Sequence, residues 1–176
     1  MLSTNIVQTK KLEDVNFNKI RVERAGFFIY TIYNGNIYIM VGIDSKTHDL
    51  TDFAGTIKYK MDKNVVNGAI RELQEETLEI FEAITYKDIK NCITVYDNDN
   101  LIIFMPVLLN PDIVCYEFNE KYRKTIENKR CKMEPEVCGV TWLALEEFNY
   151  HIKNPGVMYS RVQNVLSRAG NFMHLL

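Results

Sequence analysis

Cysteine and histidine are few and scattered in this sequence. The four cysteines, Cys92, Cys115, Cys131 and Cys138, form no Cys-x-x-Cys pair, and His48, His151 and His174 supply no companion set. Zinc ligands come as closely spaced pairs, so neither a zinc site nor a disulfide framework is expected. The thiols read as reduced, small hydrophobes of an intracellular, cytoplasmic protein. No apolar run approaches the ~18 residues of a membrane span, and the polar stretch from Met1 to Lys11 lacks the apolar core of a secretory signal. Glycine (8) and proline (4) are sparse, and no segment reads as a linker or a repeat, which predicts one domain over residues 1–176. A net charge of −2 excludes a general basic coat for nucleic acid, so DNA is not expected as a partner, and neither is a membrane. With 47% hydrophobic residues over 176 positions, the chain can bury a core unaided. Asparagine is abundant instead, 17 against 6 alanines, which suits an AT-rich coding genome such as that of a protist or a large DNA virus. In the viral case the compartment would be the host cytoplasm.

Residues 1–20 give no clear pattern and read as an N-terminal extension. From Gly26 to Tyr33 the chain is rich in β-branched and aromatic residues, Asn34-Gly35-Asn36 is a turn signal, and Ile37 to Val41 returns, which predicts a hairpin. Residues 44–63 read as a polar loop around Phe53-Ala54-Gly55. From Asn64 to about Phe81 the apolar positions change to helical spacing, with Val65, Val66, Ala69, Ile70, Leu73, Leu78 and Ile80 on one stripe and Asp62 or Asn64 as cap. Gly68 suggests close packing of this helix on a sheet. Ile93–Tyr96 and Leu101–Leu109 predict a second hairpin, ended by Asn110-Pro111-Asp112. Residues 118–132 read as a short helix or a long loop. Val137–Leu145 reads as a strand, and the stretch from Pro155 to Ala169 as a helix with proline in its first turn. Interleaved strands and helices, with several strands in hairpins, point to an α/β (α+β) architecture with a mixed sheet and helices on its faces.

The segment Arg71-Glu72-Leu73-Gln74-Glu75-Glu76-Thr77 carries the chemistry. On a helix, Glu72, Glu75, Glu76 and Glu79 project from one face, where like charges repel. Such a row is either solvated or holds a cation, and hard oxygen ligands in this number suit Mg2+ or Mn2+, which completes its shell with water and substrate phosphate. Arg-Glu-apolar-x-Glu-Glu occurs by chance in about one chain in a thousand of this length, which favours the second reading.

With Gly55 upstream, this segment resembles the box of the Nudix hydrolase family: a glycine, five residues, a glutamate, seven residues, then Arg-Glu-apolar-x-Glu-Glu-x-Gly-apolar. The likeness extends over residues 25–170, through a preceding hairpin, the loop Glu134-Pro135-Glu136, the strand holding Trp142 and the helix start Leu145-Glu146-Glu147-Phe148. Three departures stand out. Gly55 lies 16 residues before Arg71 rather than 14, the box's first glutamate falls on Lys63, with Asp62 beside it as the substitute partner for the arginine, and the closing glycine falls on Leu78, with Glu79 next to it. A helix without that glycine is expected to end differently, for instance by running on for a turn.

The resemblance implies an α/β/α sandwich and a metal-dependent hydrolase acting on a diphosphate linkage in a nucleoside diphosphate derivative: a free nucleotide, a dinucleoside polyphosphate, a nucleotide sugar or the 5′ cap of mRNA. It implies Glu72, Glu75 and Glu76 as holders of Mg2+ or Mn2+, with the Gly55 backbone drawn close to them, and Arg71 as the partner that orients a glutamate. The general base is drawn from the helix or from the later loop, where Glu136 is the first candidate and Glu134 the second. The departures leave open the alternative of a catalytically silent module that binds nucleotide or RNA. For substrate contacts the candidates are Arg21, Arg24 and the basic stretch of Lys121, Arg123, Lys124, Lys129, Arg130 and Lys132, with Tyr30, Tyr38 or Tyr96 available to stack on a base.

Overall fold

A computed structural model of the chain describes residues 6–81, 83–128 and 135–176. Alternation with a period of two organises the centre of the chain. In β2 (Arg24–Tyr33), Phe27 and Ile29 point to one side and Phe28 and Tyr30 to the other. The same switch occurs in β3 (Asn36–Asp44), where Met40 opposes Ile39 and Val41, and in β7 (Asn100–Pro106), where Leu101, Ile103 and Met105 oppose Ile102 and Phe104. Strands apolar on both sides must be covered on both, and two separate hydrophobic cores result.

The described strands form one mixed sheet in the order β1-β6-β7-β2-β3-β4, where β1 is Gln8–Lys11, β4 Leu50–Thr51 and β6 Ile93–Tyr96. Strand β5 (Phe53–Thr56) pairs with the start of β2, and β8 (Val137–Ala144) pairs with β3. The β2–β7 pairing is parallel and the other strand pairings are antiparallel. Helices α2 (Val65–Glu76) and α4 (Pro111–Glu127) cover one face, with α1 (Tyr59–Asp62) leading into α2 and α3 (Tyr86–Ile89) following it. Helices α5 (Leu145–Lys153) and α6 (Ser160–Arg168) cover the other. The mixed sheet with helices on both faces is the one expected from the pattern of strands and helices, and its layering is an α/β/α sandwich. Among the described residues no helix is long and apolar enough to cross a membrane.

Both predicted hairpins form. Asn34 and Gly35 take φ of 50° and 77°, which closes β2 onto β3 with Tyr33 opposite Asn36. Strand β7 ends at Pro106 rather than Leu109, since Val107 makes one last bond to Tyr30 and the chain then turns to α4. Several expectations need correction. Residues 1–20, which show no clear pattern in sequence, supply β1, which pairs with β6 at the sheet's edge. The loop of residues 44–63 contains β4, β5 and α1. The stretch from residue 118 belongs to a 17-residue helix that starts at Pro111 and is capped by Asn110. The last long helix starts at Ser160, not Pro155; Gly156 has φ of 124°, and the following segment bridges Leu50 to Met158 before the helix can begin.

Candidate active site

Asn64 caps α2, its side chain accepting the Asn67 N–H at 2.8 Å. Asp62 is therefore free for another task. Its carboxylate accepts Arg71 Nε at 2.8 Å, Arg71 Nη2 at 3.1 Å and the Lys58 backbone N–H at 2.7 Å. Asp62, and not its neighbour Lys63, is thus the partner of Arg71. Gly68 makes this fit possible, since a Cβ there would lie 2.8 Å from Asp62 Oδ2 and 2.6 Å from Ile57 Cδ1. Arg71 also donates to the carboxylates of Glu72 and Glu75 and to the Thr56 carbonyl. Asp62 and its neighbours hold the guanidinium firmly protonated, and Arg71 in turn holds Asp62 below the usual carboxylate range.

The helix ends earlier than its apolar stripe suggests. After Glu76, the Glu79 N–H bonds the Gln74 carbonyl at 2.8 Å and the Leu78 N–H bonds the Glu75 carbonyl at 3.3 Å. This is a Schellman-type stop, with Leu78 at φ 53° and Glu79 at φ 61°. Leu78 thus makes the left-handed turn that ends the helix, without a glycine. Glu79 consequently leaves the acidic row and lies outside the cleft.

Glu72, Glu75 and Glu76 open on a cleft of about 720 Å3, shared with Gly55, Arg24, Glu136, Asp44, Asp52, Lys58, Tyr159 and Arg161 among others. Glu136 arrives just ahead of β8, where its carbonyl accepts the Ser45 N–H. Gly55 sits on β5 so tightly against α2 that a Cβ would fall 2.2 Å from Glu72 Oε2. Glu72 and Glu76 are 7% and 9% exposed, although both bear carboxylates. Burial pushes Glu72 up against the opposing pull of Arg71. Burial first, then the charges of Glu136, Glu72 and Asp52, push Glu76 up to about 8. Among the described residues no three such groups are drawn together tightly enough to form a ready-made metal centre. The donors are nonetheless all hard oxygens, and they crowd more negative charge than the protein's own cations offset. That chemistry fits a divalent cation.

Of the sequence-predicted residues, Glu72, Glu75, Glu76, Gly55, Glu136 and Arg24 share this cleft, and Arg71 stands behind it. Arg24 is matched by Asp52 through bonds of 2.6 and 2.9 Å and stacks over Tyr159 at 5.4 Å. Lys121 and Lys124 border a separate shallow depression that touches the main cleft through Glu75 and Leu78. Arg123 is taken up by Glu120 and Glu127. Arg21 lines another hollow beside α1. Tyr30, Tyr38 and Tyr96 do not line the cleft; Tyr30 and Tyr96 are core residues. Glu134, Lys129, Arg130 and Lys132 lie outside the described residues. Sequence reasoning passed over Asp44, Asp52, Lys58, Tyr159 and Arg161. The signal available for Asp52 was an acid next to the Phe53-Ala54-Gly55 centre; Tyr159 and Arg161 reach the cleft only because the Leu50–Met158 bridge brings the start of α6 there.

No protein-family model matches the chain, and neither does any curated protein. Solved structures similar to it include that of the C. elegans Ap4A hydrolase, at 18% identity with a TM-score of 0.44 over 85% of this chain and 96% of that one. A binary complex of a C. elegans Ap4A hydrolase is similar at 17% identity and TM-score 0.48, covering 88% and 99% of the two chains. The NUDIX domain of Shewanella oneidensis NrtR, complexed with ADP ribose, is similar at 11% identity and TM-score 0.44, covering 88% and 92%.

Proposed function

We propose that this chain is a Nudix-type, single-domain hydrolase that cleaves a diphosphate linkage in a nucleoside diphosphate derivative with Mg2+ or Mn2+. The observation that carries the reading is the juxtaposition in one cleft of Glu72, Glu75 and Glu76 from α2 with Glu136 from the segment before β8, with Glu72 and Glu75 braced by the Asp62–Arg71 pair. Glu72, Glu75 and Glu76 would hold the cation, whose contribution when bound is to neutralise diphosphate charge and to make a water more acidic. Arg71 fixes the rotation of the Glu72 and Glu75 carboxylates through its fork and does not itself reach the substrate. Glu136, exposed at the cleft's edge, accepts the proton of the attacking water. Asp52 keeps Arg24 oriented in the wall. Small nucleotides, nucleotide sugars, dinucleoside polyphosphates and capped RNA are the substrate classes, and the protein acts in a cytoplasmic setting.

Release of nucleoside monophosphate or phosphate from a panel of diphosphate compounds and capped RNA, identified by mass, tests the reading. Metal-dependent turnover of one of them is the expected result. A folded protein that turns over none of them overturns it. The alternative, a silent nucleotide- or RNA-binding module, is favoured by one observation: Arg71 engages both Glu72 and Glu75. It predicts ligand binding unaffected by Glu75→Gln and Glu76→Gln.

A further inference from the structure

Arg161 is a cation of the cleft that no carboxylate among the described residues neutralises. Arg24 is matched by Asp52, and Arg71 is enclosed by Asp62, Glu72 and Glu75. Arg161 lines the same cleft. Among the described residues, no carboxylate lies within ion-pair distance of it, and its hydrogen bond runs from Nε to Asn100 Oδ1 at 2.6 Å. That bond leaves the two Nη groups, the part of the fork that matches phosphate oxygens, uncommitted.

The orientation of Arg161 is set from behind. Asn100 is 6% exposed, and its Nδ2 donates to Asp97 Oδ1 at 3.0 Å, which obliges Oδ1 to face Arg161. Asp97 is buried as well. Its Oδ1 also accepts the backbone N–H groups of Asp99 and Asn100, and its Oδ2 accepts Arg168 Nη2 at 3.0 Å. Arg161 and Arg168 are two turns apart on α6, so the helix is pinned to the β6–β7 turn at both points. A satisfied buried network of this kind is rigid. A side chain already held in place loses little freedom when it binds. Such a network, ending in an unneutralised guanidinium at the wall of a carboxylate-rich cleft, has no evident structural purpose at its far end.

We infer that Arg161 binds a phosphate group of the substrate through its two Nη groups, with Asn100 as the residue that positions it. The inference rests on the hydrolase reading and deepens it: the substrate's anionic chain extends from the α2 carboxylates across to the α6 side of the cleft. A substrate phosphate there gains a charge-assisted, bidentate contact in a partly desolvated place.

The test is equilibrium binding of ADP in the presence of Mg2+ to the full chain, paired with steady-state kinetics on the compound that the protein hydrolyses. Arg161→Gln retains a donor for Asn100 Oδ1 while it removes the charge, and its thermal unfolding should match that of the parent. ADP affinity is expected to fall about tenfold or more and KM to rise similarly, with kcat changed less than about threefold. Arg161→Lys should recover part of the affinity, and Asn100→Ala should fall between the parent and Arg161→Gln. Unchanged ADP affinity and KM in Arg161→Gln would overturn the inference, and metal-dependent turnover in the same protein would leave the hydrolase reading standing. Absence of ADP binding by the parent overturns it too. Arg161-dependent ADP binding by a protein that hydrolyses nothing would support the inference and overturn the hydrolase reading instead.

Discussion

On the face covered by α5 and α6, the sheet packs Phe28, Phe104, Phe148 and Phe172 ring against ring at centroid separations of 5.0 to 6.3 Å. On the face covered by α2, three carboxylates, Asp62, Glu72 and Glu76, are buried among aliphatic neighbours. The first arrangement gains free energy from nearly every contact. The second spends part of its burial on groups that resist desolvation. On the proposed hydrolase reading, the buried carboxylates of α2 are where stability yields to chemistry. Changes on the two faces should therefore separate activity from folding.

The largest separation is expected from Glu76→Gln. Burial first, then the charges of Glu136, Glu72 and Asp52, disfavour the charged form of Glu76. Removing its charge should lower kcat/KM by about 10³-fold or more, while denaturant unfolding shows stability equal to or above that of the parent. A variant that loses activity only in proportion to lost stability would erase the contrast. The mirror experiment is Phe104→Ala. Phe104 is fully buried and contacts Phe28, Phe148 and Phe172. Its truncation should cost about 4 kcal/mol in unfolding free energy, with kcat/KM of the remaining folded protein nearly unchanged.

Asp62→Asn probes the joint between chemistry and folding. It leaves Arg71 with Glu72 and Glu75 but without its main anchor, and should cost about 2 kcal/mol, the scale of a hydrogen bond to a charged group. The pH dependence has a definite sign. Asp62 titrates below its ordinary value in the folded protein, chiefly through its bond to Arg71. Its contribution is therefore complete above the ordinary carboxylate range and is lost as pH falls through the depressed folded value. Urea midpoints of parent and variant should differ by the full amount near pH 7 and begin to draw together only as pH falls below about 4, the ordinary carboxylate value. A constant gap down to pH 3 would mean that the lost stability is one of packing rather than of charge.

The parts legible in the sequence were those with a long period. Nine- and ten-residue strands joined by Asn34-Gly35, and a twelve-residue helix with an acidic row, each state their own structure. Strands β1, β4 and β5 have only two to four residues and exist because longer neighbours offer them partners, which no local pattern can express. Helix α4 was ambiguous because only Val114 and Phe118 of its 17 residues are buried, too thin a stripe to separate from a charged loop. The candidate site divides the same way. Glu72, Glu75 and Glu76 announce themselves by spacing, whereas Asp52 and Arg161 come to the cleft through pairings between distant segments. Leu78 and Ile80 misled most directly, since they continue the apolar rhythm of α2 past the point where the backbone has already turned.

That turn yields the smallest predicted effect. Leu78 and Glu79 both hold left-handed backbone angles that a Cβ disfavours by about 1–2 kcal/mol. A glycine removes that penalty and adds about 0.5–1 kcal/mol of chain entropy to lose on folding, so the net gain at an otherwise unconstrained position is about 0.5 kcal/mol. Glu79 is such a position, because its side chain is exposed. Leu78 is not, because it packs against the α2 core, and its glycine variant loses that contact. Glu79→Gly should therefore raise the unfolding midpoint slightly, and Leu78→Gly should leave it unchanged or lower it. If Leu78→Gly proves the more stabilising of the two, the leucine contributes nothing by packing. The missing glycine would then be a plain cost carried by the helix that holds the acidic row, and the contrast between the two faces of the sheet would extend to the end of α2.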